Sequence, residues 1–436
     1  MTEAASAPRP GAAREPPPSS ADSSASTENG DLIRLLRMIR HSRRLLAALL
    51  AWTLVTGGPK STALCAGEVP VPILRGTLVD LSHNHGADNR LYSHVLGEKR
   101  DLYVYLPPGY KKSRRYPVLL WLHGYMADER QALYTVLPAL DDAIARGTMP
   151  PVVAAFPDGS ISGDFHYVGV GSWWIDSRRG KFQTYLIKEL LPLMESTFSA
   201  SDRPEDRMIA GWSMGGFGAY NLVLKHPELA YHVAAVSPPL NLRYVGCSGD
   251  YFQDFRPNCW RMRSSFTGLD VVGRYFGGLV KVRAWWVIYP VWGRGAGAVS
   301  RITAENPLDI LLRDRPDLSR HHLLVLYGRR DEMNLDAQIE SFLYVAAQLG
   351  ITVDARAYPD GTHSERFMAE VVSQLLDWLG ASVRTTATDL AKGGHQHNQR
   401  RAATAPTGRS LRRRQEPVRS AARRGTLDSS HPSPRS

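Results

Sequence analysis

The stretch Met208-Ile209-Ala210-Gly211-Trp212-Ser213-Met214-Gly215-Gly216-Phe217-Gly218 sets a serine between glycines where an apolar strand runs into a helix. A G-x-S-x-G turn of this kind lifts a hydroxyl off the backbone, and glycine at 211 and 215 lets strand and helix approach closely enough to form it. Ser213 is therefore a candidate nucleophile. The same pattern occurs in ordinary strand-to-helix turns, so the partners have to decide. A serine attacks a carbonyl once an imidazole takes its proton and a carboxylate fixes the tautomer of that imidazole. On such a turn the acid and then the histidine follow in chain order. The run His322-Leu323-Leu324-Val325-Leu326-Tyr327-Gly328 reads as a buried parallel strand, and Asp331 follows its glycine. Asp331 is the candidate acid, with Glu332 as substitute and a helix cap or turn as the alternative role. The strand-like stretch Val353 to Tyr358 enters Pro359-Asp360-Gly361-Thr362-His363, after which Phe367, Val371, Val372, Leu375, Leu376 and Leu379 recur at helical spacing. His363 is the histidine that lies after the acid and before the C-terminal tail.

Attack on an ester carbonyl builds an oxyanion, which needs two preorganised backbone donors, each worth on the order of 3 to 4 kcal/mol of barrier. Met214 N–H, at the start of the helix after the nucleophile, supplies one. Tyr125 N–H supplies the other, in the loop after Pro117-Val118-Leu119-Leu120-Trp121-Leu122-His123-Gly124. His123 reads as a packed or hydrogen-bonded structural residue. Trp173, Trp174 and Trp212 are weaker candidates for contact with substrate.

These groups need strands that end at one edge of a sheet. Early strands near Ile73 to Leu78 and Leu102 to Leu106 are expected to form an antiparallel edge. Leu119 to Leu122, Val152 to Phe156, Met208 to Ala210, Val233 to Val236, Leu323 to Leu326 and Val353 to Ala357 then alternate with helical patterns, as a parallel sheet requires. The expectation is one doubly wound α/β catalytic domain over 67–382, carrying an aromatic-rich lid-like insertion at 238–305.

Taken in order, several stretches resemble a known family. They are Asp101-Leu102-Tyr103-Val104-Tyr105-Leu106-Pro107-Pro108-Gly109-Tyr110, Tyr116 through Gly124, Phe156-Pro157-Asp158-Gly159, Gly211 through Gly216, and Asn306-Pro307-Leu308. Together they resemble the Putative esterase family of α/β-hydrolases, which takes in esterase D or S-formylglutathione hydrolase, feruloyl and acetyl-xylan esterases, enterochelin esterases and mycobacterial mycolyltransferases. The resemblance covers about 72–380. It implies an α/β-hydrolase fold and carboxylic-ester hydrolysis with neither metal nor organic cofactor. The expected activity is that of a serine ester hydrolase working through an acyl-enzyme. An acyltransferase using the same triad is the alternative, and a non-catalytic ligand-binding relative is a third reading. The substrate would be a small-molecule or glycan-linked ester. The stretch from Ser237 to Asn306 departs from the familiar pattern, so substrate identity does not carry over.

The formal net charge is +11. Residues 392–436 hold eleven Lys or Arg against two acids, and 1–66 hold eight against five, so the central part is left near −1. The basicity belongs to the ends, which excludes a nucleic-acid-binding stripe on the catalytic domain. Residues 1–37 read as a disordered extension and 383–436 as a basic disordered tail. Between them, Arg40, Arg43 and Arg44 precede the apolar run from Leu45 to Val55 and small residues near Ser61 to Ala66. This is the layout of a signal peptide or N-terminal anchor at 38–66, with Met38 a candidate start. Export to the periplasm, cell envelope or exterior is expected. Cys65 lies in this leader, leaving Cys247 and Cys259 to form a disulfide worth roughly 3 kcal/mol in an oxidising compartment. Two cysteines with no nearby histidine cannot complete a zinc shell. The insertion carries Tyr251, Phe252, Phe255, Trp260, Phe266, Tyr275, Phe276, Trp285, Trp286, Tyr289 and Trp292. They suit a wall over an acyl pocket or satellite-core packing, and Val271 to Trp292 also suits contact with a membrane surface.

Overall fold

The computed structural model describes residues 71–162 and 170–403, with side chains to 386 apart from position 296. The leader at 38–66, the extension before it, and 404–436 of the tail lie outside the described residues. Two compact units are distinguished, Met1–Ala387 and Thr388–Ser436.

The first unit is built on eight strands: β1 Thr77–Leu81, β2 Leu102–Leu106, β3 Val118–Leu122, β4 Val153–Pro157, β5 Arg207–Trp212, β6 His232–Val236, β7 His322–Gly328 and β8 Asp354–Tyr358. They lie in the order β1-β2-β4-β3-β5-β6-β7-β8. Pairing is parallel from β4 to β8 and antiparallel on both sides of β2. The expected antiparallel edge is present, though its first strand starts at Thr77 rather than near Ile73. Ile73 is fully exposed, so its apolar character reflects no burial.

Successive residues of the central strands face opposite layers, as the two-residue strand period requires. Leu120, Leu122, Ile209, Val233, Ala235, Leu323 and Val325 join one core with Phe217, Tyr220, Ile339 and Phe342. Leu119, Trp121, Met208, Ala210, Val236, Leu324 and Leu326 join the other with Leu137, Leu140, Met368, Leu375 and Leu379. Helices α1 (Val136–Ala145), α2 (Met214–Lys225), α3 (Pro307–Asp314), α4 (Leu335–Gln348) and α5 (Glu365–Ala403) supply these layers. A sheet covered on both faces has strands apolar at nearly every position, hence the unbroken apolar runs in β3, β6 and β7. The fold is that of the α/β-hydrolases.

Helix α5 corrects one expectation. Its backbone stays helical to Ala403, so 383–403 is not the irregular tail read from its composition. No proline interrupts Ala381 to Ala403, and the helix enters this stretch packed, with Val383 in the core and Thr386 Oγ1 3.1 Å from His322 Nε2.

Candidate active site

Parallel neighbours deliver their following loops to the same edge of a sheet, at the carboxyl ends of the strands. At that edge the structure brings Ser213, His363 and Asp331 together. Ser213 sits between β5 and α2 with φ 53° and ψ −116°. A non-glycine residue at positive φ costs about 1 to 3 kcal/mol and persists only where its surroundings over-determine it. Here Ser213 N–H donates to Val236 O at 2.8 Å, and Phe217 N–H donates to Ser213 O at 2.9 Å. The glycine requirement is steric. A Cβ on Gly215 would lie 1.8 Å from Leu122 O, and one on Gly211 would lie 2.5 Å from the carbonyl carbon of Gly215.

The loops after β7 and β8 are sewn together by Arg329 N–H to Tyr358 O and Arg330 N–H to Gly361 O, both 2.9 Å. This seam sets Asp331 beside His363. His363 Nε2 lies 3.0 Å from Ser213 Oγ, and His363 Nδ1 lies 2.9 Å from Asp331 Oδ2. The Asp331 side chain is fully buried, and its Oδ1 accepts from Met333 N–H at 2.8 Å. Glu332 takes a different part from the one left open by sequence: its Oε2 accepts from the backbone N–H of His363 at 2.7 Å. Burial pulls the imidazole pKa down. The Asp331 charge, the hydrogen bond to it and the Glu332 charge outweigh that, so His363 stays above its ordinary value.

Met214 opens α2, and the Gly215 contact with Leu122 O brings that helix start against the end of β3. Tyr125 lies just beyond β3. His123, buried, accepts from Gly159 N–H through Nε2 at 2.8 Å, which leaves Nδ1 to donate to Gly124 O at 2.8 Å. A trans peptide points its N–H opposite to its C=O. By anchoring the carbonyl of Gly124, His123 therefore fixes the direction of Tyr125 N–H. Gln131, which sequence reasoning passed over, ties this loop to the histidine loop. Its Oε1 accepts from Gly124 N–H at 3.5 Å, and its Nε2 donates to Glu365 Oε1 at 2.8 Å.

The tryptophans are packing residues. Trp174 is wholly buried, donates from Nε1 to His123 O at 3.2 Å and stands edge-on to the His123 ring, so it has no surface left for a substrate. Trp173 donates from Nε1 to Val287 O at 2.9 Å and stacks edge-on with Phe217 and Trp292. It joins the core to the insertion. Trp212 is 5% exposed and lies parallel to the His363 ring, with centroids 5.5 Å apart, so it backs the imidazole.

The insertion sits over the same edge. Tyr125 Oη donates to Trp286 O at 2.8 Å, Arg274 N–H to Glu332 O at 2.8 Å, and Tyr251 Oη to Met333 O at 2.7 Å. Cys247 and Cys259 are joined by a disulfide beside the short strand pair Tyr244–Val245 and Arg261–Met262. Of its aromatics, Trp292 and Tyr251 are buried while Phe276 and Trp285 are exposed, so both packing and surface roles occur. Among the described residues, no cluster of three His, Cys, Asp or Glu could hold a metal, and no helix is long and apolar enough to cross a membrane.

The chain is 28% identical over 187 residues to an endo-1,4-beta-xylanase/feruloyl esterase of Xylanibacter ruminicola, covering 38% of this chain and 25% of that protein. It is 27% identical over 169 residues to an S-formylglutathione hydrolase of Arabidopsis thaliana, covering 35% of this chain and 57% of that one. The chain thus spans a quarter to somewhat over half the length of these relatives. A solved ferulic acid esterase shares the fold with a TM-score of 0.51 at 22% identity, covering 71% of this chain and all of that one. The family model described as "Putative esterase" matches residues 93–365, a span that contains Ser213, Asp331 and His363. The chain belongs to this esterase family.

Proposed function

We propose that the protein hydrolyses carboxylic esters through an acyl-enzyme formed on Ser213. The observation that carries this reading is the unbroken hydrogen-bonded chain from Ser213 Oγ through His363 to the buried carboxylate of Asp331. Ser213 Oγ bonds to the ester carbonyl carbon while its proton passes to His363 Nε2. The negative oxygen that results is met by the N–H groups of Met214 and Tyr125. The imidazolium, stabilised by Asp331, returns the proton to the departing alkoxide, and the carbonyl re-forms as the acyl-enzyme. Water then repeats the sequence, giving its proton to His363 and releasing the acid with Ser213 restored. Every step moves a proton or an acyl group between these residues, the ester and water, and none needs a cofactor.

The substrate class is a small-molecule or glycan-linked ester, a reading supported by the feruloyl esterase among the relatives. The disulfide between Cys247 and Cys259 supports export, because such bonds persist in oxidising compartments.

The test compares wild type with Ser213→Ala on p-nitrophenyl acetate and on methyl and sugar esters of ferulic acid. Loss of turnover in Ser213→Ala, with release of free acid by wild type, is expected. Retained turnover in Ser213→Ala overturns the mechanism. Transfer of the acyl group to an added alcohol in preference to water makes the protein an acyltransferase.

A further inference from the structure

The insertion at 238–305 holds nine Lys or Arg against four Asp or Glu, a net of +5, although the central part of the chain is close to neutral. Three of these cations, Arg274, Lys281 and Arg283, lie on the hairpin formed by Val271–Tyr275 and Val280–Arg283, which carries no acid between 271 and 283. Arg274 and Lys281 are directly opposite each other in its register, and both are exposed. Like charges across a strand pair are destabilising. Neither has a carboxylate partner among the described residues; the Arg274 guanidinium rests over the Phe252 ring, 3.9 Å from its centroid, a contact that leaves its charge unneutralised. The inner face is spoken for: Gly273 lies against the Met333 side chain and Val282, and Arg274 N–H holds Glu332 O.

Both ends of the hairpin carry large apolar side chains turned to solvent. At the tip, Phe276 is 48% and Leu279 86% exposed, on either side of Gly277-Gly278; at the base, Leu269 is 71% and Trp285 55% exposed. Trp285 N–H donates to Gly268 O, and Arg283 donates to Leu269 O, which keeps the two base residues together. Five residues of extended chain separate tip from base, roughly 17 Å. Two apolar footings with an unneutralised cation pair between them match an interface with hydrocarbon at shallow depth and negative charge at its surface.

We propose that the 271–283 hairpin docks on the surface of an anionic lipid bilayer. Phe276, Leu279, Leu269 and Trp285 enter the headgroup boundary, and Arg274 and Lys281 meet the lipid phosphates. A protein partner would need carboxylates spaced to match the cation pair and two apolar recesses. A bilayer supplies both without a fixed spacing, which favours it for a convex feature of this kind. The docking is independent of the chemistry at Ser213.

The experiment is hydrogen–deuterium exchange on the full chain with phosphatidylglycerol-containing vesicles, with pure phosphatidylcholine vesicles and in buffer. Reading exchange segment by segment separates the hairpin from the basic ends, which attract anionic vesicles by themselves. Slowed exchange across 271–283 with the anionic vesicles alone is expected. In Arg274→Gln/Lys281→Gln the vesicle concentration giving half-maximal protection should rise about 30-fold, at roughly 1 kcal/mol per charge near such a surface. Turnover of p-nitrophenyl acetate should stay unchanged. Leu279→Asp, at the exposed tip, is the second variant should the first melt early, and it should abolish the protection. Protection confined to the leader or the tail, equal protection by phosphatidylcholine, or full protection in both variants overturns the proposal.

Discussion

Two carboxylates contact His363, and replacing each in turn separates their roles. In Asp331→Asn, Met333 N–H still needs an acceptor where Oδ1 stood, so the amide oxygen stays there and the amide NH2 faces His363 Nδ1. A donor facing Nδ1 makes that nitrogen the acceptor and moves the ring proton to Nε2. The imidazole then presents N–H to Ser213 Oγ and cannot take its proton. The expected loss is about 10⁴-fold in kcat, equivalent to about 5.4 kcal/mol of barrier. Glu332→Gln keeps an oxygen able to accept from the His363 backbone N–H, so its loss should stay under about tenfold. The pH profile adds a second check. Activity needs neutral His363, so the acid limb of kcat/KM in wild type lies above the ordinary imidazole value and turnover falls as pH drops through it. In Asp331→Asn only burial and Glu332 act on the ring, so the residual activity should show its limb at lower pH. Initial rates on p-nitrophenyl acetate across this range measure both. The assignment is refuted if Asp331→Asn stays within tenfold of wild type, or if Glu332→Gln is the more damaging change.

Three further outcomes follow from the geometry. Gly215→Ala forces a Cβ against Leu122 O at 1.8 Å, backbone against side chain with nothing flexible to yield, so thermal melting should show a loss of several kcal/mol or no folded protein. His123→Leu frees the Gly124 carbonyl and with it the direction of Tyr125 N–H. It should lower kcat about 10² to 10³-fold with little change in KM, and unchanged kcat in a folded variant would remove His123 from the oxyanion arrangement. His232 is wholly buried beside His322, and burial lowers its pKa to about 4. Because the folded value is depressed, the stability it contributes is present above about 6.5 and is lost as pH falls from there toward 4, on the order of 3 kcal/mol in all. Urea midpoints at neutral and mildly acid pH should diverge less in His232→Gln than in wild type.

The grouping of Ser213, Asp331 and His363 was legible because each follows its own strand by a few residues, and parallel strands carry such loops to one edge. The strands themselves were legible because burial on both faces leaves runs without polar interruption. What local pattern could not supply is contact between distant segments. Glu332 reads as a spare acid until its carboxylate is found on the backbone of His363. Trp173 and Trp174 read as a cleft surface, yet both adopt positive φ and turn their rings into the core, an outcome set by Gly159, Gly218 and His123 packed around Trp174. The role of Gln131 depends on Glu365, more than two hundred residues away in the chain. The helix continues past residue 382 because Val383 packs in the core, a tertiary contact that basic composition does not report.

The bonds from Tyr251 to Met333 and from Arg274 to Glu332 tether the insertion to the short segment that carries the acid. A disturbance of the insertion is thereby passed to the catalytic acid. Replacing 238–305 with a loop of another shape would strip the acid's segment of its braces and slow the enzyme, unless the Tyr251 hydroxyl and the backbone path at 274, whose amide does the holding whatever its side chain, are kept. Sequence change elsewhere in the insertion leaves the position of Asp331 untouched as long as that hydroxyl and that amide stay where they are.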